Sequence, residues 1–326
     1  MQGLEIMDAS EGTAMAFPMS IRVWAGSLCL ALALAGCLTV GSEVATPEPG
    51  SSEHRIGTRD SAAGPEFFDI ATGEAWIPRG PNLHRMAPEG EAVVDTMLAP
   101  ETYEPDWVAE QLDEIVALGY NSVRTSFDIC ILRCIGAQSG GLDPEYLDNV
   151  SEFLGLAHDR GLQVFLTSND LPDRGGFVPR VEATTSALFD GYINSHYLHP
   201  VGYGIYRDYW VSLVQALLDR GTPMDAVAGY QLRGEFWMSG DRPPLSLTSG
   251  SVTAANGSTY DLADPSERIA LVNEGTRFWL NSIREAILDL DPTALVGVGV
   301  FAPNTPNVWH EDPRVIDMSA IWGSEL

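Results

Sequence analysis

From Phe67 onward, short apolar runs alternate with long amphipathic stretches, and this alternation restricts the fold more than any other feature. The strand-like runs are Ala75–Leu83, Asn121–Phe127, Leu162–Ser168, Ala226–Glu235, Leu295–Phe301 and Val315–Trp322. Between them, Trp107, Val108, Gln111, Leu112, Ile115 and Leu118 form a helical stripe, with Asp106 as the expected N-cap and Gly119 as the stop. Asp143-Pro144 opens a second helix that Gly161 closes; Tyr206–Arg220 is a third, closed by Gly221; Asp264-Pro265 opens a fourth that runs to about Leu290. Strands alternating with helices of this length predict βαβ units and a parallel sheet. No Gly-x-Gly-x-x-Gly follows the first strand, so a dinucleotide-binding sheet is disfavoured. The long segments after the third strand (Asn169 to about Gly204) and after the fourth suit a closed barrel, whose site is built from such βα loops. The expected class is therefore α/β, a (β/α)₈ TIM barrel, incomplete, since about six βα units are present where the complete barrel has eight.

The N-terminus carries a second signal. Arg22 precedes an apolar run, Trp24–Ala35, which ends in Leu34-Ala35-Gly36-Cys37. A positive residue, a short apolar stretch and a small-residue site describe an export signal, and the run is too short to span a bilayer. The Leu-Ala-Gly-Cys ending resembles the bacterial lipobox, which implies lipidation of Cys37. Glu5, Asp8 and Glu11 do not suit a signal, so translation starting at Met15 or Met19 would fit better. The expected divisions are a signal region over 1–36 (with 1–14 as a wrong start), a lipidated, flexible tether over 37–64 rich in Ser, Thr, Pro, Glu and Gly, and the barrel over 65–326. That order places the domain outside the cytoplasm, facing the periplasm or cell exterior, with membrane contact only through the lipid.

All 18 basic residues are arginine and the net charge is −27, which disfavours nucleic acid as a partner. Cys130 and Cys134 form a Cys-x-x-x-Cys pair, read as a local disulfide in an oxidising compartment. No further Cys or His pair stands at ligand spacing, so neither metal nor cofactor is expected.

Barrel enzymes place their chemistry at the C-terminal ends of strands. The polar residues there are Arg79, Asn82 and His84 on the first strand; Arg124 and Asp128 on the second; Asn169 and Asp170 on the third; Arg233 and Glu235 on the fourth; and Trp322 on the sixth. Glu235 is the best catalytic candidate. Phe236 and Trp237 follow it, and a carboxyl that loses solvation beside aromatics suits a general acid. The alternative is a structural glutamate paired with Arg233 or Arg124. The insertion adds Tyr192, His196, Tyr197, His199 and Tyr203, which either face substrate or pack over the rim.

Three segments, Gly73–Asn82, Asn121-Ser-Val-Arg124 and Gly229-Tyr-Gln-Leu-Arg-Gly-Glu235, resemble in order and wording glycoside hydrolase family 5, a group of (β/α)₈ retaining glycosidases. The resemblance covers about residues 64–326. It implies that Glu235 is the acid/base and that Arg124 sits near the nucleophile. Asn82, His84, Asp170, Trp237 and Trp322 complete the expected substrate-binding set. Three departures stand out. Gly234 occupies the position of an asparagine that contacts the sugar 2-hydroxyl. Trp322 stands near the place of a His-x-Tyr motif. The nucleophile belongs on a seventh strand, beyond the last residue of the sequence, and Glu325 stands too soon after Trp322 to supply it. The expected function is hydrolysis of β-linked O-glycosidic bonds in a poly- or oligosaccharide; the alternative is a non-catalytic carbohydrate-binding lipoprotein on a degenerate barrel.

Overall fold

The computed structural model describes residues 53–85, 97–127 and 134–300. The signal region, Cys37, Asp128, Cys130, the expected sixth strand and Trp322 lie outside the described residues.

The first ordered element is a hairpin, β1 (Ile56–Ser61) against β2 (Gly64–Asp69), antiparallel, with Ile56 opposite Asp69 and Ser61 opposite Gly64. The range expected for the tether, 37–64, overlaps this hairpin, so residues 56–61 are a paired strand. The local sequence conceals it, because β1 carries Arg59 and Asp60 and has one large apolar residue, Ile56, to bury. Side chains also pair across it. Arg55 Nε donates to Asp69 at 2.7 Å, and the guanidinium of Arg59 lies 4.7 Å from the Phe68 ring.

The central sheet joins β3 (Ser122–Ser126), β4 (Gln163–Thr167), β5 (Val227–Gln231) and β8 (Val296–Gly297), all parallel and in that order. The expected first strand departs from a regular one. Ala75 bridges Phe68 of the hairpin, while Asn82 bridges Arg124 in parallel. Pro78 and Pro81 remove two donors from the stretch between, so β3 supplies most of the pairing. Asn121 N and Ser122 N donate to Arg79 O, Arg124 N donates to Pro81 O, and Leu83 N donates to Arg124 O.

The crossovers are α1 (Pro105–Ala117), α2 (Pro144–His158), α5 (Pro200–Asp219) and α6 (Pro265–Leu288). Asp143 caps α2 through Glu145 N and Tyr146 N, and Asp264 caps α6 through Ser266 N, as their sequence predicts. Two starts differ from expectation. Glu104, not Asp106, is the N-cap of α1, with Pro105 at the first position. Helix α5 begins six residues before Tyr206, where His199 Nδ1 accepts from Val201 N at 3.1 Å. The insertion is itself partly helical, in α3 (Phe177–Glu182) and α4 (Ile193–Leu198). A small hairpin, β6 (Ser251–Thr253) with β7 (Thr259–Asp261), lies between β5 and α6.

Strand alternation divides the sheet into two faces. Val123, Val164, Leu166, Ala228 and Tyr230 are buried, and the core they belong to includes Val150 and Phe153 of α2, Tyr209 and Trp210 of α5 and Ile283 of α6. On the alternate face, Arg124, Phe165 and Gln231 are half-buried. An open cavity of about 360 Å³ lies there, reaching from Thr58 and Phe67 of the hairpin to Arg124 and Gln231. The architecture is an incomplete α/β barrel.

His54 fastens the hairpin to this body. It is fully buried; Nδ1 faces Val227 O at 2.7 Å and therefore donates, while Nε2 faces Asp291 Oδ2 at 2.6 Å. Tyr230 donates its hydroxyl to the same carboxylate oxygen at 3.0 Å, and His54 N donates to Thr293 Oγ1 at 2.9 Å. Burial, with the Asp291 charge beside it, holds the Tyr230 hydroxyl well above its ordinary range, so it stays a donor. Removing one partner of such a buried pair strands the other without solvent. His54→Ala is expected to cost about 3–5 kcal/mol in urea unfolding. A cost below about 1 kcal/mol would show that the hairpin holds without it.

Candidate functional site

Three strands converge on Gln231. Its Oε1 accepts from Arg124 Nε at 2.7 Å and from Thr167 Oγ1 at 2.9 Å. Arg124 Nη1 then reaches Asn82 Oδ1 at 3.2 Å. The strand ends thus bring Asn82, Arg124, Thr167 and Gln231 together at the C-terminal mouth of the sheet. Arg79 does not join them, because it pairs with the start of β3 at the opposite end. His84 is half-buried two residues beyond Asn82. Sequence reasoning overlooked Gln231. Its inward position on β5, two residues before Arg233, was the available signal.

Beyond β5 the backbone keeps to the ladder. Gly234 N donates to Ser168 O at 2.6 Å, and Phe236 N donates to Gly299 O at 2.7 Å. Gly234 is required by close approach. A Cβ there would stand 2.5 Å from Asn169 Oδ1, 2.9 Å from Arg124 Nη2 and 3.1 Å from Thr167 Cγ2. The asparagine that the resemblance implies at this position therefore has no room, and the Asn169 amide from the end of β4 occupies the space.

Asp170 lies in an ion-pair network. Its Oδ1 is 2.8 Å from Arg233 Nη1 and 3.2 Å from His196 Nδ1, and it accepts from Leu171 N at 2.8 Å. Its Oδ2 accepts from the Tyr192 hydroxyl at 3.2 Å. Arg233 and His196 are both buried. Burial alone would raise the Asp170 carboxyl, but the charges of Arg233 and His196 and the bonds to His196 and Leu171 outweigh it and hold the carboxyl well below its usual range. Burial, together with the Asp170 charge, pushes the Tyr192 hydroxyl up to about 12. Arg233 thus pairs with Asp170 instead of the Glu235 carboxylate, and its Nε donates to Glu235 O at 3.2 Å.

The remaining aromatic residues of the insertion are divided. Tyr197 is fully buried, 4.5 Å from the Phe236 ring and 5.1 Å from Trp279. His199 caps α5 with its ring edge 4.6 Å from Phe189, and Tyr203 packs 5.0 Å from Phe278. Only Tyr192 and His196 of this set contact Asp170.

Glu235 follows the end of β5 by four residues, and its side chain is exposed. This corrects the expected desolvation. Phe236 is buried in the core, and Trp237 is half-buried against it. Cys134 is disulfide-bonded and buried; Cys130 lies outside the described residues. A larger polar cavity, about 590 Å³, lies by the start of α2 between Glu101, Gln138 and Arg174, and none of the candidate residues lines it.

No protein-family model and no curated protein matches the chain by sequence. Among solved structures, the chain is similar to the endo-1,4-β-mannanase from Rhizomucor miehei, with a TM-score of 0.52 and 17% identity over 83% of this chain and 68% of that one. It is also similar to a β-mannanase from the blue mussel Mytilus edulis, with a TM-score of 0.47 and 13% identity over 81% and 67% of the two chains. The likeness to the first mannanase, at 17% identity, shows the fold alone, an α/β barrel.

Two outcomes follow from this geometry. Gly234→Ala forces Asn169 and Arg124 to shift, with an expected loss of about 1–3 kcal/mol in urea unfolding; an unchanged midpoint would show that both side chains yield freely. The second concerns Asp170. A carboxyl whose folded pKa is lowered contributes stability above its unfolded value and loses it as pH falls through the folded one. Asp170→Asn is therefore expected to lower the melting temperature at pH 7, with the gap to wild type narrowing once the pH falls below about 4. A gap independent of pH would refute the ionised pair.

Proposed function

We propose that this chain belongs to an exported glycoside hydrolase that cleaves β-linked O-glycosidic bonds of a poly- or oligosaccharide. The observation that carries the reading is Glu235, an exposed carboxylate just past the C-terminal end of β5, the strand whose Gln231 gathers Arg124 and Thr167. The endo-1,4-β-mannanase with the same fold indicates the bond class.

In this reading Glu235 protonates the leaving glycosidic oxygen as the bond to the anomeric carbon breaks, and a second carboxylate takes that carbon covalently. Glu235, now ionised, removes a proton from water, which attacks the anomeric carbon and releases the second carboxylate. Retention of configuration requires the two carboxyls to stand about 5–5.5 Å apart. The family resemblance assigns the second to a seventh strand, C-terminal to those described. Asn82, His84, Asp170, Trp237 and Trp322 belong to the substrate side, and no cofactor takes part. Lipidation at Cys37 holds the domain outside the cytoplasm, where polysaccharide is available.

The test is reducing-sugar release from β-mannan and β-glucan by this chain carried on through a seventh strand. Glu235→Gln is expected to lower the rate by about 10²–10⁴-fold, the contribution of a general acid/base. Release that is insensitive to the substitution would exclude Glu235 as the acid/base. Glycan binding without release from the unsubstituted protein would favour the non-catalytic reading, which Gly234 motivates.

A further inference from the structure

The turn that carries Glu235 leaves the strand but keeps to the sheet. Arg233 O accepts from Gly299 N at 2.7 Å, Gly234 N donates to Ser168 O at 2.6 Å, and Phe236 N donates to Gly299 O at 2.7 Å. Glu235 lies between these points, and its carbonyl oxygen accepts from Arg233 Nε at 3.2 Å. The guanidinium that makes this bond stands 2.8 Å from Asp170 Oδ1 through its Nη1. Asp170 is fixed in turn at the end of β4. Its Oδ1 accepts from Leu171 N at 2.8 Å, and its carbonyl accepts from Ser168 Oγ at 2.7 Å. A line of contacts thus runs from β4 through Asp170 and Arg233 to the backbone of the proposed acid/base.

The same contacts set the charge behind Glu235. Arg233 is 5% exposed, and a guanidinium keeps its proton at any ordinary pH. The groups that face it are Asp170 at the end of β4, Tyr197 of α4 and Tyr206 of α5, and His196 of α4 meets the Asp170 carboxylate at 3.2 Å. Burial pushes the Tyr197 hydroxyl well up, and the Tyr206 hydroxyl donates to Leu232 O at 3.1 Å, so each keeps its proton. Among these groups Asp170 carries the negative charge. Without it, a buried cation would stand uncompensated two residues from Glu235. An unbalanced cation favours the ionised form of a nearby carboxyl, whereas a general acid must hold its proton until the leaving oxygen takes it.

We infer that Asp170 and Arg233 are positioning residues for Glu235: Arg233 holds the turn that carries the carboxyl, and Asp170 holds Arg233 and cancels its charge. The inference rests on the glycoside hydrolase reading and gives Asp170 its part in it, acting through Arg233 and not on the sugar. The two effects are separable. Asparagine at 170 keeps the shape of the contact and removes the charge, glutamate keeps the charge, and loss of both partners removes the support of the turn without leaving a charge behind.

Initial rates measured against pH test this, on the protein used for sugar release and on whichever of β-mannan and β-glucan it cleaves. Asp170→Asn is expected to lower kcat by about tenfold or more with KM within about threefold, the pattern of an interaction felt in the transition state alone. The alkaline limb of its kcat/KM profile is expected about half a unit or more below that of wild type, because the uncovered Arg233 favours ionised Glu235. Asp170→Glu is expected to return the limb to its wild-type place. In the double variant Asp170→Asn with Arg233→Met the limb also returns while kcat stays low, and this variant carries the test if Asp170→Asn alone fails to fold. A raised KM with unchanged kcat would make Asp170 a substrate contact and overturn the inference. So would a limb that Asp170→Asn leaves in place, the mark of a merely structural pair, or wild-type kcat in the double variant. If the unsubstituted protein releases no sugar from either glycan, the hydrolase reading fails, and the positioning role fails with it.

Discussion

The oxygen of Gln231 that receives both Arg124 and Thr167 fixes the mouth of this barrel. A half-buried arginine on the inward face of a sheet needs acceptors there. Gln231 supplies one from two strands away, and Thr167 of the intervening strand donates to the same atom. The three strands are held in register by side chains as well as by their ladder. With Nε committed, the guanidinium plane is set, and its remaining nitrogens extend toward Asn82 and Gly234. That orientation sets where Asn82 is met and how closely the backbone approaches at Gly234.

Two side-chain contacts of an aspartate with a buried nitrogen base mark opposite ends of the body. His54–Asp291 lies where β5 begins and joins the N-terminal hairpin to the turn before β8. Asp170–Arg233 lies where β4 and β5 end and joins the insertion to the segment carrying Glu235. Asp170–Arg233 adds little net stability, since the desolvation of two charges offsets most of their attraction. The effect of both contacts is on geometry. Each holds its segment in a definite place, because displacing one partner would leave the other polar group without a partner.

What could be read from the sequence was what depends on near neighbours. The caps at Asp143 and Asp264 act within three residues, and each is followed by proline, so both appear in the chain as written. The hairpin did not, because its order comes from His54 contacts across 173 and 237 residues. The start of α5 was missed because its cap is a histidine nitrogen, outside the usual Ser, Thr, Asp and Asn set, although Pro200 at its first position was visible. The expected desolvation of Glu235 failed for a simpler reason. Residues 234 and 235 lie in a bend beyond β5, and Phe236, adjacent in sequence, is buried in the core while Glu235 is exposed. Adjacency in sequence is not contact.

Gly234 shows how identity and volume can part. By identity it departs from family 5, since an asparagine side chain is missing next to Glu235. By volume nothing is missing. The Asn169 amide oxygen stands 2.5 Å from where a Cβ at 234 would be, and Arg124 Nη2 stands 2.9 Å away, so the mouth is filled from β4 and β3 instead of from β5. A glycine left by decay would leave space behind it, whereas this one is a condition for the neighbouring amide and guanidinium to lie where they do. An amide and a guanidinium thus remain together at the strand ends, with the amide borne by a different strand. That arrangement argues for a mouth still built to hold polar groups around a substrate.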